Sequence, residues 1–155
     1  MERGFFDWIA YILQKYGPDI LKGAGTTMLI AVVATVAGFA IGLVIGCIRT
    51  IPVGPRDGKL KKGLLKVVNF LLNAYVEIFR GTPMMVQAVV IFYGLMEAFR
   101  IDLSPLSAGL LIVSINTGAY MSEIVRGGIQ SLDPGQYEAA HALGLSHWDT
   151  MTSII

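Results

Sequence analysis

A small set of polar side chains interrupts the apolar stretches of this sequence. Gln87 stands in one stretch, Asn116, Thr117 and Tyr120 stand in the middle of another, and Glu123 lies at its end. A polar group inside a bilayer is costly, so it is either satisfied by neighbours or lines a wet cavity. Asn116 and Tyr120 are four residues apart and share a helix face, which continues to Glu123 at the membrane edge. Amides and a carboxylate on one face suit a polar wall beside a transport pathway, where they meet an ammonium group or a polar side chain. They equally suit a set of contacts that hold helices together. No nucleophile–base arrangement stands out, and no G-x-x-x-x-G-K-S/T phosphate loop occurs, so the chain reads as neither an enzyme nor an ATP binder of that kind, and no cofactor is implied. His141 and His147 are six residues apart without cysteine partners, the pattern of surface or interface histidines rather than a metal site.

A second stretch with specific spacing runs from Asp133 to Ile155. Asp133 can cap a helix and Pro134 suits its first position, where no amide hydrogen is needed. Gln136 to Leu143 favours helix, Gly144 can take the left-handed turn that stops it, and Ser146 with Asp149 resembles a capping box that opens a second helix. The pair Ala139 and Ala140 permits close approach of another backbone, with Glu138 as an anionic handle beside it.

The elements that must position these residues follow from composition and patterning. Apolar residues make up 54% of the chain and charged residues 15%, with a net charge of +1, which argues for a membrane protein and gives no reason to invoke nucleic acid. A lone Cys47 excludes an intrachain disulfide. Glu2 and Asp7 stand where a signal peptide would be positive. Gly4 to Tyr16 carries aromatic and aliphatic residues at helical spacing, with Arg3, Asp7, Gln14 and Lys15 elsewhere, which predicts an amphipathic interfacial segment over 1–23 whose helix ends at Gly17-Pro18, and equally suits an amphipathic helix packed on the rest of the protein.

Ala24 to Ile48 is uncharged and long enough to cross a bilayer, and Gly38, Gly42 and Gly46 recur on one face of it. Arg49 to Lys66 is a basic loop with Arg49, Arg56, Lys59, Lys61, Lys62 and Lys66 against Asp57, so it is expected on the cytoplasmic side with the amino terminus outside. Leu64 to Arg80 reads as an interfacial helix that runs into the membrane at a break near Gly81-Thr82-Pro83, with Glu77 and Arg80 spaced to pair. A second span is expected at about 79–98 and a third at about 103–123, started by Ser104-Pro105. Counting crossings places Asp133 to Ile155 in the cytoplasm.

Glu138-Ala139-Ala140, with Gly144 four residues on and Ile154 ten beyond that, resembles the EAA loop of ATP-binding-cassette (ABC) importer permeases. In that family one spacer and Leu-Pro come next; here Ile155 is the spacer, so the carboxyl end is expected to be missing. Glu77-Ile78-Phe79-Arg80-Gly81-Thr82-Pro83-Met84-Met85-Val86-Gln87 is similar to a signature of the polar-amino-acid branch. Asn116 to Ile129 resembles that branch's third-span motif, as does Asp133-Pro134-Gly135-Gln136 after it.

The resemblance implies an all-α polytopic membrane protein with a type I importer transmembrane domain, incomplete, of three spans. It implies a permease subunit in the cytoplasmic (inner) membrane of a prokaryote, moving a polar amino acid by alternating access. Glu138, Ala139, Ala140 and Gly144 would couple it to an ABC ATPase dimer. Gln87, Asn116, Thr117, Tyr120 and Glu123 would line the substrate pathway. A second permease subunit, an extracytoplasmic amino-acid-binding protein and membrane lipid are the other implied partners. A nucleic-acid-binding helix-turn-helix is disfavoured, since no Lys or Arg follows Gly127 while Asp133, Glu138 and Asp149 are acidic. A membrane scaffold that does not transport stays open, because three spans cannot enclose a pathway alone.

Overall fold

The computed structural model describes residues 4–54 and 57–153. Glu2, Arg3, Pro55, Arg56, Ile154 and Ile155 lie outside the described residues, as does the side chain of His147. Six α-helices and no strand occur among the described residues: α1 (Phe5–Arg49), α2 (Lys59–Gly81), α3 (Met84–Phe99), α4 (Pro105–Gln130), α5 (Pro134–Ala142) and α6 (His147–Ser153).

The helix expected to stop at Gly17-Pro18 does not stop. α1 is continuous for 45 residues with Pro18 inside it, so the interfacial segment and the first span are one rod about 68 Å long. Pro18 removes one intrahelical donor, at a cost of about 3 kcal/mol. Pro18 lies on an exposed stretch among Lys15, Asp19 and Lys22, and the helix passes it with one bond missing, where ending would leave up to four donors and four carbonyls without intrahelical partners. The aromatic stripe near its start, including Phe5, Phe6 and Trp8, is exposed.

α4 is the element on which α1, α2 and α3 all pack. It begins where the sequence indicates: Pro105 holds the first position and the Ser104 hydroxyl accepts the Ser107 amide at 3.1 Å. Its tightest neighbour is α1, through the glycine face. A Cβ on Gly46 would stand 2.7 Å from Val125 Cβ, one on Gly38 would stand 2.9 Å from the Ser114 carbonyl, and one on Gly42 would overlap Met121. Both helices thus keep a four-residue rhythm along the seam, Gly38 with Thr117, Gly42 with Met121 and Gly46 with Val125.

The break expected near Gly81-Thr82-Pro83 is present: the chain bends by 114° at Thr82-Pro83, and residues 79 to 81 of the expected second span belong to α2 rather than to α3. α3 alone has 16 residues, about 24 Å, short of a hydrocarbon core of about 30 Å. α1 and α4 are each long and apolar enough to cross, and the bent pair makes a third crossing only if counted together. The cause is Pro83, which disfavours helical geometry in the residue before it and takes the N-cap of α3.

In the loop before α2, Asp57 accepts the Gly54 amide at 2.8 Å and Lys61 at 3.0 Å. These two contacts, the first above all, hold its carboxyl below the usual carboxylate range.

The seam yields a paired prediction. Gly42→Leu forces a side chain into the α4 backbone and should destabilise the fold by about 1–3 kcal/mol or more, whereas Gly63→Ala, on an exposed stretch of α2 with open space around it, should be neutral or mildly stabilising. Thermal unfolding of the two purified variants beside the wild type measures the difference.

Candidate functional site

The break between α2 and α3 creates a local shortage of donors, and the polar side chains of the spans meet it. In an unbroken helix the Phe79 carbonyl would accept the amide of residue 83, but Pro83 has none. The Gln87 amide donates instead, to the Phe79 carbonyl at 2.9 Å, the Thr82 carbonyl at 2.9 Å and the Thr82 hydroxyl at 2.8 Å. Asn116, reaching across from α4, donates to Gln87 Oε1 at 3.0 Å and to the same Phe79 carbonyl at 3.2 Å. The Thr82 hydroxyl in turn donates to the Ile78 carbonyl at 2.7 Å. Gln87 and Asn116 are only 6% and 7% exposed, so their polar atoms serve the protein backbone in this conformation.

About two turns further along α4 from Asn116, Glu123 gathers arginines from three helices. It pairs with Arg49 at the end of α1, with Arg126 of its own helix at 2.7 Å and with Arg80 at the end of α2 at 3.7 Å. Arg49 also donates to Asn73 Oδ1 at 3.0 Å, and Arg126 to Gln130 Oε1 at 2.6 Å. Arg80 lies over the ring of Tyr120, 5.5 Å from its centroid, and Tyr120 remains 46% exposed. The Glu77–Arg80 pair open on the sequence gives way to this arrangement: Arg80 turns to Glu123, while Glu77 is exposed.

The residues picked out by sequence therefore fall into three groups. Gln87 and Asn116 are joined at the break. Tyr120 and Glu123 are joined through Arg80. Thr117 is turned to α1, its side chain against Gly38, and stands apart from both. Arg49, Asn73, Arg80 and Arg126 were not among the expected site residues. The signal for the three arginines was the placing of cations at the ends of apolar runs, within reach of a single carboxylate; Asn73 had none.

A second site is the elbow formed by α5 and α6. The Asp133 carboxylate accepts the Gly135 amide at 2.7 Å with Pro134 in the first helical position. α5 ends in a two-bond C-terminal lock, Leu145 N–H to the Ala140 carbonyl and Gly144 N–H to the His141 carbonyl, each at 3.0 Å. Gly144 supplies the left-handed residue this lock needs, with φ of 74°. Ser146 and Asp149 then cap α6 reciprocally: the Asp149 amide donates to the Ser146 hydroxyl at 3.2 Å, and the Ser146 amide to Asp149 Oδ2 at 3.4 Å. Ala140 is buried, whereas Glu138, Ala139 and Gly144 are exposed. Glu138 and Tyr137 share a cavity of about 430 Å³ with Arg49 and Gln130, so the elbow lies at the end of the bundle where α1 finishes.

A family model described as "Binding-protein-dependent transport system inner membrane component" matches residues 62–155. The glutamine transport system permease protein of Escherichia coli is 35% identical over 151 residues, 97% of this chain and 63% of that protein. The arginine transport system permease protein of Bacillus subtilis is 31% identical over 89% of this chain and 58% of its own length. A solved structure titled "Crystal structure of an amino acid ABC transporter with histidines" aligns with a TM-score of 0.74 and 32% identity, covering 98% of this chain and 63% of that one. The chain thus spans under two thirds of the length of these relatives.

The bonding at the break predicts that Gln87→Leu, which leaves the Phe79 and Thr82 carbonyls short of donors, lowers stability by about 1–3 kcal/mol. A fall in the unfolding midpoint checks it; an unchanged midpoint would show that the amide does not hold the break.

Proposed function

The chain belongs to the family of binding-protein-dependent transport system inner membrane components, and from that premise we propose that it is the permease part of an ABC importer for polar amino acids. The observation that carries the coupling is the elbow. Its Gly144 lock fixes the angle between α5 and α6, and it leaves Glu138 and Ala139 exposed while Ala140 packs inward. A short, rigid, outward-facing corner of this kind suits the groove of a partner ATPase dimer. ATP is bound and hydrolysed there, and this chain contributes no cofactor. Closure of the dimer on nucleotide pushes the elbow, and the push passes to α4 and α1. The shared cavity of Glu138 and Arg49 supports a cytoplasmic elbow, since it puts the elbow beside the basic loop that the positive-inside rule keeps in the cytoplasm. The amino terminus is then outside.

The pathway forms between this permease and a second, identical or homologous one, and an extracytoplasmic binding protein supplies the amino acid. Tyr120 and Glu123 line it, with Arg80 held between them. Gln87 and Asn116 border it while they brace the broken helix, and a change in that bracing is a route by which the spans tilt. Thr117 acts at one remove, by setting the distance between α4 and α1. Names of relatives for glutamine, arginine and cystine support the substrate class.

Uptake of radiolabelled amino acids by the reconstituted importer tests both halves. Gly144→Val strains a left-handed residue by about 1–2 kcal/mol, about tenfold in the docked population, and Glu138→Lys reverses the charge at the docking face. Each should depress uptake and substrate-stimulated ATP hydrolysis without preventing membrane insertion; wild-type uptake in both would remove the elbow from the mechanism. Tyr120→Ala or Glu123→Gln should raise the half-saturating substrate concentration about fivefold, roughly 1 kcal/mol. Unchanged kinetics in both would make these residues purely structural.

A further inference from the structure

α2 carries an apolar stripe that no described element covers. Leu60, Leu64, Val67, Leu71 and Ile78 recur on one face, and all are exposed, Leu60 at 87%. The buried residue of the same helix, Val76, points about 160° away from Leu60, and only at the edge of the stripe, toward the carboxyl end, does Tyr75 reach α4, its hydroxyl donating to the Ile115 carbonyl. The first two turns also hold Lys59, Lys61, Lys62 and Lys66, and Asp57 is the sole acidic residue from Arg49 to Lys66. On the helix, Lys59 and Lys61 stand about 100° to either side of Leu60. The stripe is therefore flanked by cations where it begins.

The orientation of α2 fits this composition. α3 runs back along α4, with Gln87 bonded to Asn116 and Phe92 sharing a cleft with Pro105 and Ile112. Since α4 is long enough to cross the membrane and α2 departs from α3 by 114°, α2 lies closer to the membrane plane than to its normal. A helix so placed inserts its apolar face among acyl chains, and lysines along its flanks extend to the phosphates.

We propose that the amino-terminal half of α2 is a seat for anionic phospholipid headgroups, with Leu60, Leu64, Val67 and Leu71 dipping below them and Lys59 and Lys66 engaging their phosphates. Charge complementarity selects this occupant: four cations against one carboxylate attract an anionic surface. A second copy of the same face would set lysines against lysines. The proposal rests on the helix and on the membrane setting of the family, and its test reads lipid contact, so it can fail while transport stands, or stand while transport fails.

The test uses the full-length permease in nanodiscs, with a fluorophore on Leu64→Cys in a Cys47→Ser background. Brominated phosphatidylglycerol or brominated phosphatidylcholine is supplied as about one third of the lipid. The expected result is quenching that corresponds to an enrichment of the anionic lipid of about fivefold or more around the label. The enrichment should vanish in Lys59→Gln/Lys66→Gln and persist in the matching Lys→Arg variant. Equal quenching by the two lipids overturns the proposal, leaving simple burial in the bilayer. Absence of quenching, with cross-linking between copies through the same cysteine left unlabelled in a parallel sample, overturns it in favour of a protein interface. Should the glutamine variant fail to assemble, the comparison of the two lipids on the unsubstituted lysines decides.

Discussion

The backbones of α1 and α4 run so close together that side chains are excluded between them at Gly38, Gly42 and Gly46. In a bilayer no hydrophobic effect drives helices together, because lipid tails are as apolar as leucine; close contact between small residues takes its place. Once this seam is set, α4 has a fixed face toward α1. Its remaining faces hold Asn116 toward the break and Tyr120 and Glu123 toward Arg80. The polar sites are organised by a contact that itself contains almost no polar side chain.

The second constraint is that backbone groups at membrane depth need partners. Pro83 forces the α2–α3 bend and deprives Phe79 of its usual donor, and the two side chains best able to replace it, the amides of Gln87 and Asn116, come from the helices on either side. The bend also delivers Arg80 to Glu123, so that one carboxylate ties the ends of α1 and α2 to α4. The break is thus a junction, and the polar residues around it first answer to the backbone and the ion pairs before they answer to any ligand.

What the sequence disclosed was local. Caps at Ser104, Asp133 and Ser146, the turn at Gly144 and the repeat of glycines in α1 all rest on interactions within a turn or two of helix, and spacing alone exposes them. The helix through Pro18 was missed because the cost of a proline is local, while the cost of ending a helix depends on surroundings that spacing does not report. The partners of Glu123 were missed for the same reason: Arg49 and Arg80 are distant in sequence and only the packing of three helices brings them in. The likeness of Gln87 and Asn116 to pathway residues concealed their bonds to one broken turn, since an amide facing a carbonyl and an amide facing a ligand look identical in a sequence.

The unbroken length of α1 has a mechanical consequence. α1 is packed against α4 from Ile30 through buried Ala34 to the glycine seam, and from Ile30 to Phe5 it projects for about 38 Å. A rod held that way multiplies small rotations: a tilt of about 5° at the grip sweeps the free tip through about 3 Å, about the width of a water molecule. Movements too slight to disturb the packing of methyl groups at one end of the helix become visible displacements at the other.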